Sequence, residues 1–154
     1  MTSLRLALVL AVTLGTTAHA DPAPQLQADL GLSVICAGYE HPLGTHVAVF
    51  AGAGVLGTYF LPWFDLGNNV IGGVGDLRAT YFTRGDGSGL YVTPYVRAGY
   101  ASGVAVTGGV FVGYAARLTS QLDLRIGAGG QYIYVRDQAS TPFVALDVAL
   151  GWRL

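Results

Sequence analysis

The sequence predicts an all-β protein, an antiparallel transmembrane up-and-down β-barrel of eight strands. Three observations predict it. First, the last twelve residues alternate: Val144, Leu146, Val148, Leu150, Trp152 and Leu154 are apolar, while Ala145, Asp147, Ala149, Gly151 and Arg153 are small or charged. A period of two marks a strand with one greasy face and one polar or small face. A tilted strand of about 9–11 residues is what a bilayer's hydrocarbon core requires of a barrel. Second, only 11% of the residues are charged, against about 25% in soluble domains, and mean hydropathy is +0.49. Third, there are 23 glycines. Each would cost a helix interior about 1 kcal/mol relative to alanine, but glycine suits barrel strands that bend and leave space inside.

Residues 1–20 read as a secretory signal peptide. Arg5 is the one charge before the apolar run at residues 6–14, which is too short to span a bilayer as a helix, and Ala18-His19-Ala20 supplies the small-x-small cleavage pattern. The mature barrel is then residues 21–154. Its first run, 26–39, alternates at the start: Leu26, Ala28, Leu30, Leu32 and Val34 on one face, Gln27, Asp29, Gly31 and Ser33 on the other. Residues 40–45, with Pro42 and Gly44, read as a turn that includes Glu40. Residues 47–60 are strand-like with muddled parity near Gly52 to Gly57, where a bulge would fit. Residues 61–69 form the longest irregular stretch and carry Trp63 and Phe64. Residues 70–83 follow, with Asp76, Arg78 and Thr80 opposite Leu77, Ala79 and Tyr81. Residues 84–89 are a polar turn.

In residues 90–100, Leu90, Val92, Pro94, Val96, Ala98 and Tyr100 oppose Tyr91, Thr93, Tyr95, Arg97 and Gly99. Pro94 cannot donate to a ladder, which suggests a local bulge. In residues 104–118, Val104, Val106, Val110, Val112, Tyr114 and Leu118 oppose Thr107, Gly109, Gly113 and Arg117. In residues 122–134, Leu122, Leu124, Ile126, Ala128, Tyr132 and Tyr134 oppose Asp123, Arg125, Gly127, Gly129 and Gln131. That makes seven strand regions. Bacterial barrels normally have an even number, so an eighth is expected, either split from 47–69 or hidden as a hairpin in 26–39. Two uncharged windows, 46–64 and 98–116, are long enough for a membrane helix, but both are studded with glycine and the second alternates with period two.

A lipocalin-type barrel would reverse the faces, but a water-facing exterior needs more charge than this chain has. The apolar face is therefore assigned to lipid. Tyr39, Tyr81, Tyr100, Tyr114, Tyr132, Tyr134 and Trp152 fall near strand ends, where aromatic girdles occur. Asp29, Asp76, Arg78, Arg97, Arg117, Asp123, Arg125, Asp147 and Arg153 fall on the inner face. Buried charges must be paired, and eight strands leave an interior just wide enough for side chains. The expectation is an ion-paired, mostly closed lumen, with a small pore or ligand-binding barrel as the alternative.

The chain resembles the small eight-stranded outer-membrane barrels grouped with OmpX and the OmpA membrane domain, and a widespread set of short bacterial barrels of unknown function. The resemblance rests on Tyr39-Glu40-His41-Pro42-Leu43, Arg78-Ala79-Thr80-Tyr81-Phe82, Gly89 to Tyr95, Val112-Gly113-Tyr114 and Leu150-Gly151-Trp152-Arg153-Leu154. It implies a bacterial outer-membrane address, contact with outer-membrane lipid, and insertion by the barrel-assembly machinery. The family's closing signal is matched here by Asp147 and Trp152, with Ala149 in place of a glycine and Leu154 in place of the terminal aromatic. No activity is implied, and a porin-like monomer is expected.

Other chemistry is thinly supplied. Lys is absent and net charge is −1, so there is no basic footprint for nucleic acid. Cys36 is the sole cysteine and reads as a small apolar residue on a strand face. Small outer-membrane barrels include lipid A acylases and deacylases, which need a Ser with a His and an acidic partner. The expected mature chain offers only His41 and His46, both beside one turn, with Glu40 as a neighbour. No metal site, phosphate loop or cofactor is expected. Arg84-Gly85-Asp86 reads as a hairpin turn, and Trp63 and Phe64 as lipid anchors.

Overall fold

The structure, a computed structural model, describes residues 22–32, 34–57, 71–101, 103–135 and 140–154. The expected signal peptide, Ser33, and the aromatic loop with Trp63 and Phe64 lie outside the described residues. Eight strands run in order: β1 (Gln25–Gly31), β2 (Val34–Pro42), β3 (Val47–Leu56), β4 (Gly72–Phe82), β5 (Gly89–Tyr100), β6 (Val104–Arg117), β7 (Leu122–Val135) and β8 (Thr141–Arg153). Each pairs antiparallel with its neighbours, and β8 pairs back onto β1 to close the barrel. The windows that could have been membrane helices lie largely in β3, β5 and β6. Three connections, the start of β1 and the end of β8 lie at one end, called here the termini end, and the other strand ends lie at the opposite end.

The eighth strand comes from the hairpin within residues 26–39. β1 and β2 pair from Gln25–Glu40 to Leu30–Ile35. The turn between them resets the parity, so Val34 points inward and is buried, not outward with Leu26 as the alternation suggested. The same reset carries Glu40 out of the expected turn. It lies in β2, on the inner face, 3% exposed.

Neither expected bulge forms. The β2–β3 and β3–β4 registers run unbroken through Gly52 and Gly54. The parity looked muddled because small residues occupy both faces there. Glycine is needed on the inner face because the Phe50 ring lies across Gly38 and Gly52, and a Cβ at either would overlap it. At Pro94 the register is the same on both sides, Arg78–Tyr95 and Tyr81–Val92, with two intervening pairs unladdered. The missing N–H interrupts the ladder to β4 without slipping it. A hydroxyl pair, Thr93 Oγ1 to Thr80 Oγ1 at 2.9 Å, spans that interruption.

Register also sets the barrel's shape. Partners lead from Gln25 to Glu40, Phe50, Arg78, Tyr95, Gly109, Gln131 and Phe143. All eight are inner-face positions. The β8–β1 register then returns the path to position 35 rather than 25, an offset of ten residues. Such a stagger tilts strands by about 35–45°.

The interior is filled rather than open. Phe50, Phe82, Tyr91 and Phe111 are among its fully buried side chains, and Tyr95 stacks on Phe111 with ring centroids 4.4 Å apart. Large rings sit against bare backbone, as Tyr91 does over Gly113 and Gly127. Cys36 faces inward too, packed with Val34 and Val74. The outer face is apolar, with Leu26, Leu77, Val96, Val112, Ile126 and Leu150 all exposed.

Candidate functional site: the charged interior

Ten Asp, Glu and Arg residues of the strands point into the barrel: Asp29, Glu40, Asp76, Arg78, Arg97, Arg117, Asp123, Arg125, Asp147 and Arg153. Strand alternation puts them there, since each shares its parity with the small or buried residues of its strand. They form two linked clusters.

Arg78 is the hub of the central cluster. Its Nε and Nη2 donate to Asp76 Oδ2 at 3.0 and 2.6 Å. Its Nη1 donates to Asp29 Oδ1 at 3.1 Å and to Asp147 Oδ1 at 3.0 Å. One guanidinium thus joins carboxylates from β1, β4 and β8. Its Cζ lies over the Phe50 and Phe111 rings, 5.0 and 5.9 Å from their centroids, which adds cation–π attraction. Arg97 Nε donates to the same Asp76 Oδ2 at 2.8 Å. Tyr91 Oη donates to Asp147 Oδ2 at 2.9 Å. Three carboxylates therefore face two guanidiniums, and the far oxygens Asp29 Oδ2 and Asp76 Oδ1 are buried without a hydrogen-bond partner.

Nearer the termini, Arg125 Nη1 donates to Glu40 Oε2 at 2.6 Å and to Gln27 Oε1 at 3.1 Å, and its Nη2 donates to Glu40 Oε1. Gln25 Nε2 adds a bond to Glu40 Oε1 at 2.7 Å. Arg153 Nε donates to Asp123 Oδ2 at 2.8 Å, and Arg117 Nε stands 3.7 Å from Asp123 Oδ1, an ion pair too long to be a hydrogen bond. Gln27 connects the clusters, donating to Asp29 Oδ1 at 2.9 Å. Here the ratio is reversed, with three guanidiniums for two carboxylates. The surplus donors reach the β4–β5 turn: Arg117 Nη2 and Arg153 Nη2 both donate to Asp86 O, at 2.7 and 3.2 Å. Gly87, with φ +78°, lets that turn fold inward, close to Pro22 and Arg153. Burial pushes the Asp86 carboxyl up, but two hydrogen bonds from Ser88 and the charge of Arg117 outweigh it and hold it below the usual range.

The nine inner-face charges named from sequence all belong to these clusters. Glu40 was missed because Pro42 and Gly44 drew the turn too early. The aromatic filling of Phe50, Phe82 and Phe111 was also missed. Its signal is parity: Phe82 shares a face with Asp76, Arg78 and Thr80, and Phe111 with Thr107 and Arg117. Tyr39, Tyr81, Tyr114 and Trp152 lie outside, toward the termini end, and Tyr100, Tyr132 and Tyr134 lie outside, toward the opposite end. Leu154 is exposed, and its N–H donates to Pro24 O at 2.9 Å.

Glu40 and His41 point to opposite faces, so the wall separates the acid from its neighbouring imidazole. His46 Nδ1 donates to Phe82 O at 2.9 Å and its ring stacks on Tyr81, while His41 Nδ1 lies 3.3 Å from Tyr39 Oη. Among the described residues no group of His, Cys, Asp and Glu is arranged to hold a metal ion. Comparison with protein-family models, curated proteins and solved structures finds no match for this chain.

Proposed function

We propose that this protein is exported and inserts into a bacterial outer membrane as a monomeric barrel with a sealed, non-conducting interior and a structural or interaction role. One observation carries the reading: every Asp, Glu and Arg of the eight strands faces inward, while the outward positions are apolar except for His41 near the end of β2. A barrel dissolved in water needs the reverse arrangement, because exposed charge keeps a surface soluble. A bilayer requires this one, since a charge facing lipid at the midplane costs about 2–4 kcal/mol. The outward tyrosines and Trp152 lie toward both ends, as interfacial side chains do. The secretory pattern expected in residues 1–20 agrees with export. Insertion by the barrel-assembly machinery, with Asp147 and Trp152 in the closing signal, belongs to the same reading, which assigns no catalysis and no cofactor.

The test is a heat-modifiability gel on fractionated membranes. A band in the outer-membrane fraction that shifts on boiling is expected, because a closed ladder has no edge and unfolds slowly. An inner-membrane or soluble protein would overturn the address. A steady conductance from purified protein in a planar bilayer would overturn the sealed interior.

A further inference from the structure

The interior ends differently at its two mouths. At the end away from the termini, Arg97 borders a cleft lined also by Leu32, Gln131, Ala145 and Leu146. Arg97 is only 7% exposed. Its one hydrogen bond among the described residues is the Nε bond to Asp76, which leaves both Nη nitrogens without a partner. The guanidinium is held from behind: its Cζ lies 4.6 Å from the Tyr95 ring centroid and 5.7 Å from that of Phe111. Tyr95 Oη donates to Gln131 Oε1 at 2.8 Å. That bond orients the amide so that its NH2 is the group with donors to spare, and its one acceptor, Val144 O, is at a long 3.4 Å. Two donor groups, one of them cationic, therefore border a cleft whose other lining residues, among those described, are apolar.

The geometry points to a binding site for a carboxylate, with Arg97 Nη1 and Nη2 and Gln131 Nε2 as donors. A buried guanidinium with a free two-nitrogen edge matches the two oxygens of a carboxylate. The enclosed part of the cleft holds about 10 Å³, room for about one water-sized group, so one carboxylate oxygen enters it while the other oxygen and the rest of the ligand lie in its open mouth. The charge count selects a monoanion. Asp29, Asp76 and Asp147 outnumber Arg78 and Arg97 in the adjoining cluster, and that surplus repels a dianion such as phosphate more than a carboxylate. The inference depends on the interior and not on which membrane holds the barrel, so it and the outer-membrane reading fail separately.

Acetate titrated into the folded protein in detergent micelles tests it, followed by the Arg97 Nε–Hε resonance in 15N-edited NMR. A saturable millimolar shift is expected with acetate and not with equal sodium chloride. Gln131→Leu removes one donor without touching the ion pairs and is expected to weaken acetate by about tenfold. Arg97→Gln, followed instead through the Gln131 side-chain NH2 resonances that also respond in the unaltered protein, abolishes the acetate response while the variant still shows a heat-modifiable band. A shift that chloride reproduces, no saturable shift at all, or one unchanged in Gln131→Leu overturns the site. Tighter binding of phosphate than of acetate overturns the monoanion assignment.

Discussion

At the termini end Arg117, Arg125 and Arg153 meet Glu40 and Asp123, and Nη2 of Arg117 and of Arg153 reaches a turn carbonyl, while Arg117 Nε and Asp123 Oδ1 face each other at 3.7 Å without a hydrogen bond. In the centre Asp29, Asp76 and Asp147 meet Arg78 and Arg97, and the spare acceptors reach nothing. The two surpluses behave differently for a physical reason. A surplus guanidinium finds backbone carbonyls, which are plentiful wherever strands end. A surplus carboxylate needs N–H or O–H donors, and the strand N–H groups are already committed to the ladder. A donor-rich mouth can therefore seal itself with its own turn. An acceptor-rich centre has no turn to call on, keeps two orphan oxygens, and depends on two arginines helped by Tyr91 and Gln27.

If that contrast is right, losses should scale with how replaceable the partner is. Arg78→Met strips three buried carboxylates of their shared cation and should cost about 3–5 kcal/mol, read as a lower urea midpoint or loss of the heat-modifiable form. Tyr91→Phe leaves Asp147 Oδ2 without its donor and should cost about 1–3 kcal/mol in the same titration. Arg153→Met removes the Nε hydrogen bond to Asp123 but leaves Arg117 3.7 Å away as a counter-charge, and should cost about 1–3 kcal/mol. A loss equal to that of Arg78→Met would break the comparison. Asp86→Asn should change global stability by about 0.5 kcal/mol or less. Because the folded Asp86 carboxyl is held below its ordinary value, its stabilisation is present above about pH 4 and is lost only as pH falls through the lower folded value. Faster amide exchange at Ser88 in acid, absent in Asp86→Asn, would sharpen the account of the sealed mouth.

The lengths, order and faces of β4 to β8 are legible in the sequence because polar and apolar residues alternate there without interruption. The β1–β2 hairpin was ambiguous because Leu32 and Val34 continue the alternation of Leu26 while the backbone reverses; pattern does not reveal a turn whose residues keep the rhythm. Pro94 and the Gly52–Gly57 stretch were misleading for the opposite reason. Each breaks a local preference, but neighbouring strands hold the register from both sides. The Asp-x-Arg pairs reveal adjacent layers on one strand, and only Asp76–Arg78 pairs internally. Arg125 turns to Glu40, a partner that only closure of the barrel brings near, and Asp123 turns to Arg153 on the adjoining strand β8. The Arg97 edge, unpaired among the described residues, has no sequence signal, because it depends on which neighbours stop short.

The strands also differ in length around the wall. β1 has 7 residues, while β6 and β7 have 14 each. At about 3.3 Å per residue and a tilt near 40°, the β1 side stands only about 18 Å tall and the β6–β7 side about 35 Å. A hydrocarbon core of about 30 Å does not fit both. In a bilayer the lipids would have to thin beside β1 and remain at full depth beside β6 and β7, at a cost of fractions of a kcal/mol per ångström of mismatch. The barrel would then act as a wedge, with a lopsided collar of compressed lipid that gives a nominally round protein a front and a back within the plane of the membrane.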